Sequence, residues 1–286
     1  MNNQFKRLIS QIIFLVSSNL GALGLKTGFC YPFFYCQACP SATSACPIRV
    51  IEQGVYKHSV SLKLLLYPLT IIGFVATVTG RAVCGWACPI GLLQRATGRY
   101  ARRVKISKHI GRMKDYLKRI DSYMRYIKYV LLLVLVLLTS YLIGFIFTDI
   151  CPVGFLVGTI PTLLLYPGLF IPAFYFWVAL IIFGLFVILI FIVERGWCRY
   201  FCPVGAILSP FNKISMLHVV VDKKEECIHC NACVNICPMG IDVYNMYRDP
   251  ECILCGKCID VCPKHIIKYE RGIDKKSHGG EQRYGW

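Results

Sequence analysis

The chain has 286 residues, 56% of them hydrophobic and 16% charged, and its formal net charge is +17. A soluble domain carries about a quarter charged residues, so this composition predicts a membrane protein. The chain also contains 17 cysteines. Its length and the regular spacing of these cysteines argue against a small secreted protein held together by disulfides.

Four stretches are apolar and about as long as a bilayer crossing requires. In chain order they are residues 8–25, 64–79, 129–147 and 172–193. A fifth apolar stretch, residues 153–170, is interrupted by prolines and glycines. We expect this stretch to be re-entrant or interfacial, because interrupted backbone needs protein or a cavity around it, and a fifth span is the alternative.

The distribution of Lys and Arg predicts the orientation, since basic loops stay in the cytoplasm. Residues 95–128 include twelve Lys or Arg and two Asp, whereas residues 149–172 include no basic residue. We therefore expect a multi-pass protein of the inner (cytoplasmic) membrane with both termini in the cytoplasm. The basic run is predicted to contact the lipid bilayer or an acidic soluble electron donor, and its place beside a membrane argues against nucleic acid.

Two cysteine motifs occur twice in the apolar part of the chain and indicate an internal repeat. Cys-x3-Cys-Pro-[Ile/Val]-Gly closes the second and the fourth apolar stretch, and a Cys-Pro pair precedes it in each half. The cysteines concerned are Cys46, Cys84 and Cys88 in the first half and Cys151, Cys198 and Cys202 in the second. Repeats of two helices in the same direction predict a bundle with a pseudo-two-fold axis along the membrane normal.

Eight cysteines near the end form one pattern written twice, three cysteines at x2 spacing followed by Cys-Pro. This is the spacing of bacterial two-cluster ferredoxins, in which the fourth cysteine of each run ligates the other cluster. It predicts two [4Fe–4S] clusters, one on Cys227, Cys230, Cys233 and Cys262 and the other on Cys252, Cys255, Cys258 and Cys237. A zinc ribbon is the alternative, but it uses pairs of Cys-x2-Cys.

These patterns predict three parts. Residues 1–213 are a four-span membrane domain with repeat halves of about 1–100 and 120–213, residues 214–270 a cytoplasmic ferredoxin domain, and residues 271–286 a polar tail. The expected fold class is therefore an α-helical membrane protein, a four-helix transmembrane bundle of two pseudo-symmetric halves with a C-terminal two-[4Fe–4S] bacterial-ferredoxin-like domain.

The repeat also predicts a third metal site, because it brings Cys84, Cys88, Cys198 and Cys202 together at helix ends. Four thiolates at one place suit another iron–sulfur cluster. A zinc ion and a pair of merely structural turns are the alternatives.

Each Cys-x3-Cys motif follows an arginine, Arg81 in the first half and Arg195 in the second. We expect both to lie at the cofactor and to offset the negative charge of a thiolate-ligated cluster. Ordinary anchoring at the cytoplasmic face is the alternative.

The remaining cysteines gather by topology on the outer side. Cys36, Cys39, Cys46 and Cys151 are predicted to hold a fourth cluster, with Cys30 left over. A disulfide from Cys46 to Cys36 or Cys39 is the alternative, since this side can be oxidising. Clusters on both faces of a hydrocarbon layer about 30 Å thick would need a carrier between them, a quinone or a cofactor of a partner.

At the Cys-x3-Cys motifs and the ferredoxin runs, the chain resembles the NapH family of membrane ferredoxins and the wider set of NosR-, CcoG- and MauN-type proteins. The likeness is strongest at Glu-Arg-Gly-Trp-Cys-Arg-Tyr-Phe-Cys-Pro-Val-Gly, which begins at Glu194, and extends from about Leu62 to Lys268. It implies four spans, cytoplasmic termini and electron transfer from a quinol pool or a cytoplasmic donor toward a partner oxidoreductase. The outer cysteines are not part of the NapH pattern.

Two hypotheses of function follow. The first is a membrane-bound iron–sulfur protein that relays electrons between a cytoplasmic donor or the quinone pool and a partner oxidoreductase, including across the membrane. It would be an electron-transfer subunit with no catalytic residues of its own rather than a stand-alone enzyme. The second is an assembly factor that supplies electrons for the maturation of a metalloenzyme, and such a factor would not copurify with an oxidoreductase in fixed ratio.

Overall fold

The structure is a computed structural model, and it describes residues 3–103, 121, 123–165 and 174–272. Most of the basic run at 95–128, most of the polar tail and the end of the fifth apolar stretch therefore lie outside the described residues.

The helices of the membrane part occur in the same order in both halves. The first half contains α1 (Asn3–Ser18), α2 (Pro47–Gly54), α3 (Leu62–Thr79), α4 (Ala82–Trp86) and α5 (Pro89–Arg103), with a hairpin of β1 (Val55–Tyr56) and β2 (Ser59–Val60) after α2. The second half contains α6 (Ile127–Leu142), α7 (Pro152–Leu165), α8 (Phe174–Ile192), α9 (Gly196–Tyr200) and α10 (Pro203–Leu208). Thus α1 to α5 match α6 to α10 one for one.

Three Cys-Pro pairs before Glu226 are helix starts. In α2, α7 and α10 the proline is the first helical residue, and Cys46, Cys151 and Cys202 before it have extended backbone. Proline suits this position because its φ is already helical, and it favours extended backbone in the residue before it. The motif therefore places each cysteine at the positive end of a helix, which favours a bound anion.

The helices α3 and α8 are long and apolar enough to cross a membrane, whereas the apolar helices α6 and α7 are shorter. Large side chains of α3 and α8 point outward: Phe74 of α3 is 74% exposed and Ile181 of α8 is 65% exposed. A core helix of a soluble protein shows the opposite pattern, with its apolar face buried.

Helix α1 differs from its predicted bounds of 8–25, because it begins at Asn3, ends at Ser18 and is followed by a short 3-10 turn. Three of its polar side chains, those of Arg7, Gln11 and Ser18, are buried. Arg7 and Gln11 are both fully buried and donate hydrogen bonds to the Gly85 carbonyl, at 2.6 and 3.0 Å. Arg7 and Gln11 are therefore part of the packing face of α1.

The ferredoxin part is held by two antiparallel strands, β3 (Leu217–Val221) and β4 (Ile267–Arg271). Two short helices lie between them, α11 (Ala232–Ile236) and α12 (Lys257–Val261). Each follows a loop with x2 spacing and ends at a Cys-Pro pair, Cys237 for α11 and Cys262 for α12.

A buried ion cluster docks the ferredoxin part onto the helices. Glu251, directly before the second cysteine run, accepts from Arg81 Nη1 at 2.8 Å and pairs with Lys128. Both cations are fully buried. Asn212 after α10 donates to the Cys252 carbonyl at 2.6 Å, so the second run is fixed against the membrane part.

Candidate iron–sulfur sites

The first cysteine run lines a cavity of about 250 Å³ near the surface, here called the distal cavity. Cys227, Cys230 and Cys233 line it together with Cys262 from the other run. Cys230 is exposed. The structure thus pairs each run with the last cysteine of its sister, as the spacing predicts, and the ligation itself stays a prediction.

The second run lines a smaller cavity, the proximal cavity, with Cys237 as its fourth cysteine. Cys255 is buried there, and the Tyr269 hydroxyl donates to the neighbouring Leu254 carbonyl at 2.9 Å. The proximal cavity is therefore more enclosed than the distal one.

The two Cys-x3-Cys motifs meet at one place, here called the inner site. Cys84, Cys88, Cys198 and Cys202 are all buried. Burial raises the pKa of the Cys202 thiol well above its usual range, and the neighbouring Cys198, Cys84 and Cys88 raise it further. Four thiolates here would repel one another, so they need a positively charged group such as irons between them.

Two buried arginines cross between the halves at the inner site. Arg81 of the first half donates to the Cys198 carbonyl at 3.2 Å, and Arg195 of the second half donates to the Cys84 carbonyl at 2.9 Å. Their positive charges oppose the effect of burial on the pKa of Cys84, which is raised nonetheless. The prediction placed both arginines near the cofactor, and the structure shows that they bind the backbone of the opposite half.

The glycine of each Cys-Pro-[Ile/Val]-Gly motif makes room for the opposite arginine. A Cβ at Gly91 would lie 3.1 Å from both Nη atoms of Arg195, and a Cβ at Gly205 would lie 3.1 Å from Arg81 Nη2. Arg195 itself has a left-handed backbone with φ of 60°. Such a conformation costs about 1–3 kcal/mol in a non-glycine residue, so the surrounding contacts must hold it.

Sequence reasoning did not single out Gln94 at the inner site. Gln94 of α5 is buried and donates to Cys198 Sγ at 3.2 Å. Trp197 Nε1 and Arg81 Nε are buried donors with no partner among the described residues. Unpaired buried donors are uncommon and call for an acceptor, which the sulfides of a cluster would supply.

The ferredoxin part sits directly on the inner site. Trp86 Nε1 donates to the Leu254 carbonyl at 2.8 Å, and a Cβ at Gly85 would collide with the Ile253 carbonyl. Gln4 of α1 donates to the Cys255 carbonyl at 3.1 Å. The loop of the proximal cavity therefore contacts the turn between Cys84 and Cys88.

On the other side, Cys36, Cys46 and Cys151 line a cavity of about 220 Å³, here called the outer cavity. Arg49 and Asp149 also line it and form an ion pair at 2.7 Å. The structure brings together three of the four predicted outer cysteines.

The fourth, Cys39, does not line the outer cavity. Its thiol lies 3.0 Å from Ser41 Oγ and 3.9 Å from Asn19 Oδ1. Cys30 is buried elsewhere, with its thiol 3.8 Å from the Tyr31 carbonyl. All 17 cysteines fall in the described residues and all are free, so the structure contains no disulfide of the kind considered for this side.

A buried carboxyl lies behind the outer cavity. Glu52 of α2 accepts from Thr148 Oγ1 at 2.6 Å, and Arg49 donates to the same hydroxyl at 3.2 Å. Burial raises the pKa of Glu52 to about 7, against the lowering effect of Thr148.

A buried segment connects the outer cavity with the inner site. Phe34 lines the outer cavity, its carbonyl accepts from the Cys88 thiol at 3.9 Å, and its ring stacks on Trp197 with centroids 6.5 Å apart. Phe34 is two positions from Cys36, and two residues of extended chain span at most about 7 Å. The expected gap of about 30 Å between the two sites is therefore wrong, because the loop before α2 folds back into the bundle.

The donor sets fit iron–sulfur clusters. A cube of four irons takes its thiolates on separate metal atoms, so its ligands surround a space, as the cysteines of the cavities do. A zinc ion binds all its thiolates on one metal atom, with Zn–S distances of about 2.3 Å. Among the described residues, no group of three or more His, Cys, Asp or Glu side chains is arranged to hold a metal ion.

Two family models match the chain. One, described as a 4Fe–4S dicluster domain, matches residues 211–275. The other, described as a 4Fe–4S binding domain, matches twice, at residues 60–110 and 175–221. The two matches of the second model each contain one Cys-x3-Cys motif.

Curated relatives include proteins of archaea and bacteria. The chain is 29% identical over 240 residues to an uncharacterised protein of Methanocaldococcus jannaschii, with 84% of each chain covered. It is 31% identical to the methylamine utilization ferredoxin-type protein MauN of Methylorubrum extorquens, over 60% of this chain and 53% of MauN. It is 26% identical to the ferredoxin-type protein NapH of Escherichia coli, over 67% of this chain and 59% of NapH. The chain thus spans little more than half of the MauN and NapH relatives, and no solved structure matches it.

Proposed function

As the chain is a NapH/MauN-like 4Fe–4S protein that transfers electrons through iron–sulfur clusters, we propose that it relays them through four such centres. The order is distal cavity, proximal cavity, inner site and outer cavity. The ligands are those predicted from the spacing, apart from Cys39. Each [4Fe–4S] centre takes up and releases one electron.

Contact between successive sites is the observation that carries this proposal. The proximal loop lies on the turn between Cys84 and Cys88, and Phe34 joins Cys88 to the outer cavity. The rate of electron tunnelling falls steeply with distance, so sites that touch through single residues favour transfer without a mobile carrier. The two matches of the 4Fe–4S binding model at the Cys-x3-Cys motifs support a cluster at the inner site.

The distal cavity is the proposed place of exchange with a soluble redox partner. Cys230 is exposed at its rim, whereas the cysteines of the inner site are buried. A partner can therefore approach the distal cluster closely, and the other centres are reached through it.

The helices are proposed to form a bundle of α1, α3, α6 and α8 in the inner membrane, with both termini in the cytoplasm. The apolar outer faces of α3 and α8 support the membrane setting, since lipid replaces water as their solvent. Asn3 and Gln4 at the start of α1 bind Asp260 of the ferredoxin part, which supports the proposal that the N-terminus and that part lie on one side. The outer cavity then lies toward the opposite face.

The test is the loss of one centre on removal of an inner thiol. In the Cys84→Ala and Cys198→Ala proteins we expect one cluster's worth of iron and sulfide to be lost, while the ferredoxin signals remain in the EPR spectrum of the reduced protein. Those signals should also lose the spin–spin broadening caused by a neighbouring paramagnetic centre. The Cys30→Ala protein, which loses a buried thiol that lines none of the three cavities, is the control. Full iron content and unchanged broadening in both inner-site variants would refute the relay.

A further inference from the structure

The outer cavity contains three thiols rather than four. Cys36, Cys46 and Cys151 line it, and each is less than a tenth exposed. Cys46 and Cys151 occupy equivalent positions at the starts of α2 and α7, and a Cβ at Gly154 would lie 3.5 Å from Cys36 Sγ. The three thiols thus come from three separate segments that the fold holds around one space.

Cys39 does not line the outer cavity, and its thiol has other polar neighbours. Asn19 Oδ1, near the Cys39 thiol, also accepts from Tyr35 and Ser41, at 2.9 and 2.8 Å. The Cys39 thiol is therefore part of a polar network that links the loop to the end of α1. Since every cysteine of the chain is described, the outer cavity has no fourth thiol.

The rest of the cavity wall carries oxygen and cationic groups. Thr148 and Asp149 line it together with Arg49. The Asp149 side chain is 55% exposed and that of Arg49 is 24% exposed. The cavity therefore opens to the outside where these polar groups lie, and Arg49 supplies a positive charge there.

We propose that the outer cavity holds a [4Fe–4S] cluster on three thiolates, and that its fourth iron faces the opening at Arg49 and takes an exchangeable oxygen ligand. The ligand class is water or a small carboxylate from solution. This inference rests on the proposed function, which places a cluster in this cavity. It makes the outer centre a place where a small molecule can bind iron, whereas the other three centres have four thiolates each and only transfer electrons.

A cluster with one iron free of thiolate loses that iron on mild oxidation. The [4Fe–4S]2+ cube gives one electron to ferricyanide and releases Fe2+, and [3Fe–4S]+ remains. The full chain is purified without oxygen, treated with one equivalent of ferricyanide and examined by EPR. We expect the signal of an oxidised [3Fe–4S] centre, which Fe2+ and a reductant convert back.

Alanine variants identify the centre, because alanine has no atom that can bind iron in place of sulfur. Cys36→Ala, Cys46→Ala and Cys151→Ala should each lose one cluster's worth of iron and the [3Fe–4S] signal. Cys39→Ala should keep both, as should the Cys30→Ala control. The ferredoxin signals in the reduced spectra show which variants are folded. If one of the three ligand variants is not folded, the other two test the inference.

The outcomes separate this inference from the proposed function. Loss of the same amount of iron in Cys39→Ala as in Cys36→Ala would show a cluster with four thiolates, so the exchangeable ligand would be refuted and the relay would stand. Full iron content in Cys36→Ala, Cys46→Ala and Cys151→Ala would show that the cavity holds no cluster. The exchangeable ligand and the four-centre relay would then both be refuted.

Discussion

At the scale of single residues, the sites depend on buried charges that bind across domain boundaries. Arg81 and Arg195 could be located from sequence, since each precedes a Cys-x3-Cys motif. Their hydrogen bonds to the opposite half could not be predicted from sequence, because these bonds depend on how the two halves pack. The same holds for Glu251, whose neighbours Arg81 and Lys128 are far away in sequence. Cys39 has the spacing of a ligand, and only the tertiary structure shows where its thiol lies.

Glu251 gives a prediction at this scale. Glu251→Gln removes the anion shared by two buried cations, and breaking a buried pair in this way costs about 3–5 kcal/mol. The loop of residues 253–255 should then detach from Trp86 more often. Hydrogen–deuterium exchange of this loop should speed up by roughly a hundredfold if about 3 kcal/mol is lost.

The matched control is Glu226→Gln, which removes an exposed partner of Lys223 in the same ferredoxin part. Exposed pairs contribute about 0–1 kcal/mol, so exchange of the loop should stay near that of the unaltered protein. Equal exchange in the Glu251 and Glu226 variants would show that the buried ion cluster does not dock the ferredoxin part.

At the scale of elements, uniformly apolar helices were predictable and mixed ones were not. Helix α3 was expected at 64–79 and is Leu62–Thr79, and α8 was expected at 172–193 and is described as Phe174–Ile192. Helix α1 was misplaced because its buried face is polar, which inverts the pattern of a soluble helix. The expected fifth apolar stretch, residues 153–170, overlaps α7, a helix that begins at Pro152 and is shorter than a span.

A charge on the outer face of α8 tests whether that face contacts lipid. Ile181→Arg should reduce the protein recovered in alkali-washed membranes severalfold, because an arginine at the centre of a span costs about 2.5–3.5 kcal/mol. Ile228→Arg in the ferredoxin part changes a side chain of similar exposure, 58% against 65%, and should leave recovery unchanged. Unchanged recovery of the Ile181 variant would count against a lipid-facing α8.

At the scale of the whole molecule, the sequence patterns predict four cysteine sites and the pairing of the ferredoxin runs. They do not contain the distances between sites. The apolar stretches suggest centres separated by a full bilayer, but the buried segment at Phe34 and the docked loop at Leu254 bring neighbouring sites into contact. Long-range packing of these loops decides whether the chain can conduct electrons by itself.

Electron transfer through a sealed membrane tests this central claim most directly. The full chain is reconstituted into liposomes that contain ferricyanide, dithionite is added outside, and the bleaching of ferricyanide is followed under argon. We predict bleaching well above that of protein-free liposomes for the unaltered protein and for Cys30→Ala, and bleaching at the protein-free rate for Cys84→Ala and Cys198→Ala. Bleaching by the unaltered protein at the protein-free rate, or equally fast bleaching by the two inner-site variants, would contradict the account.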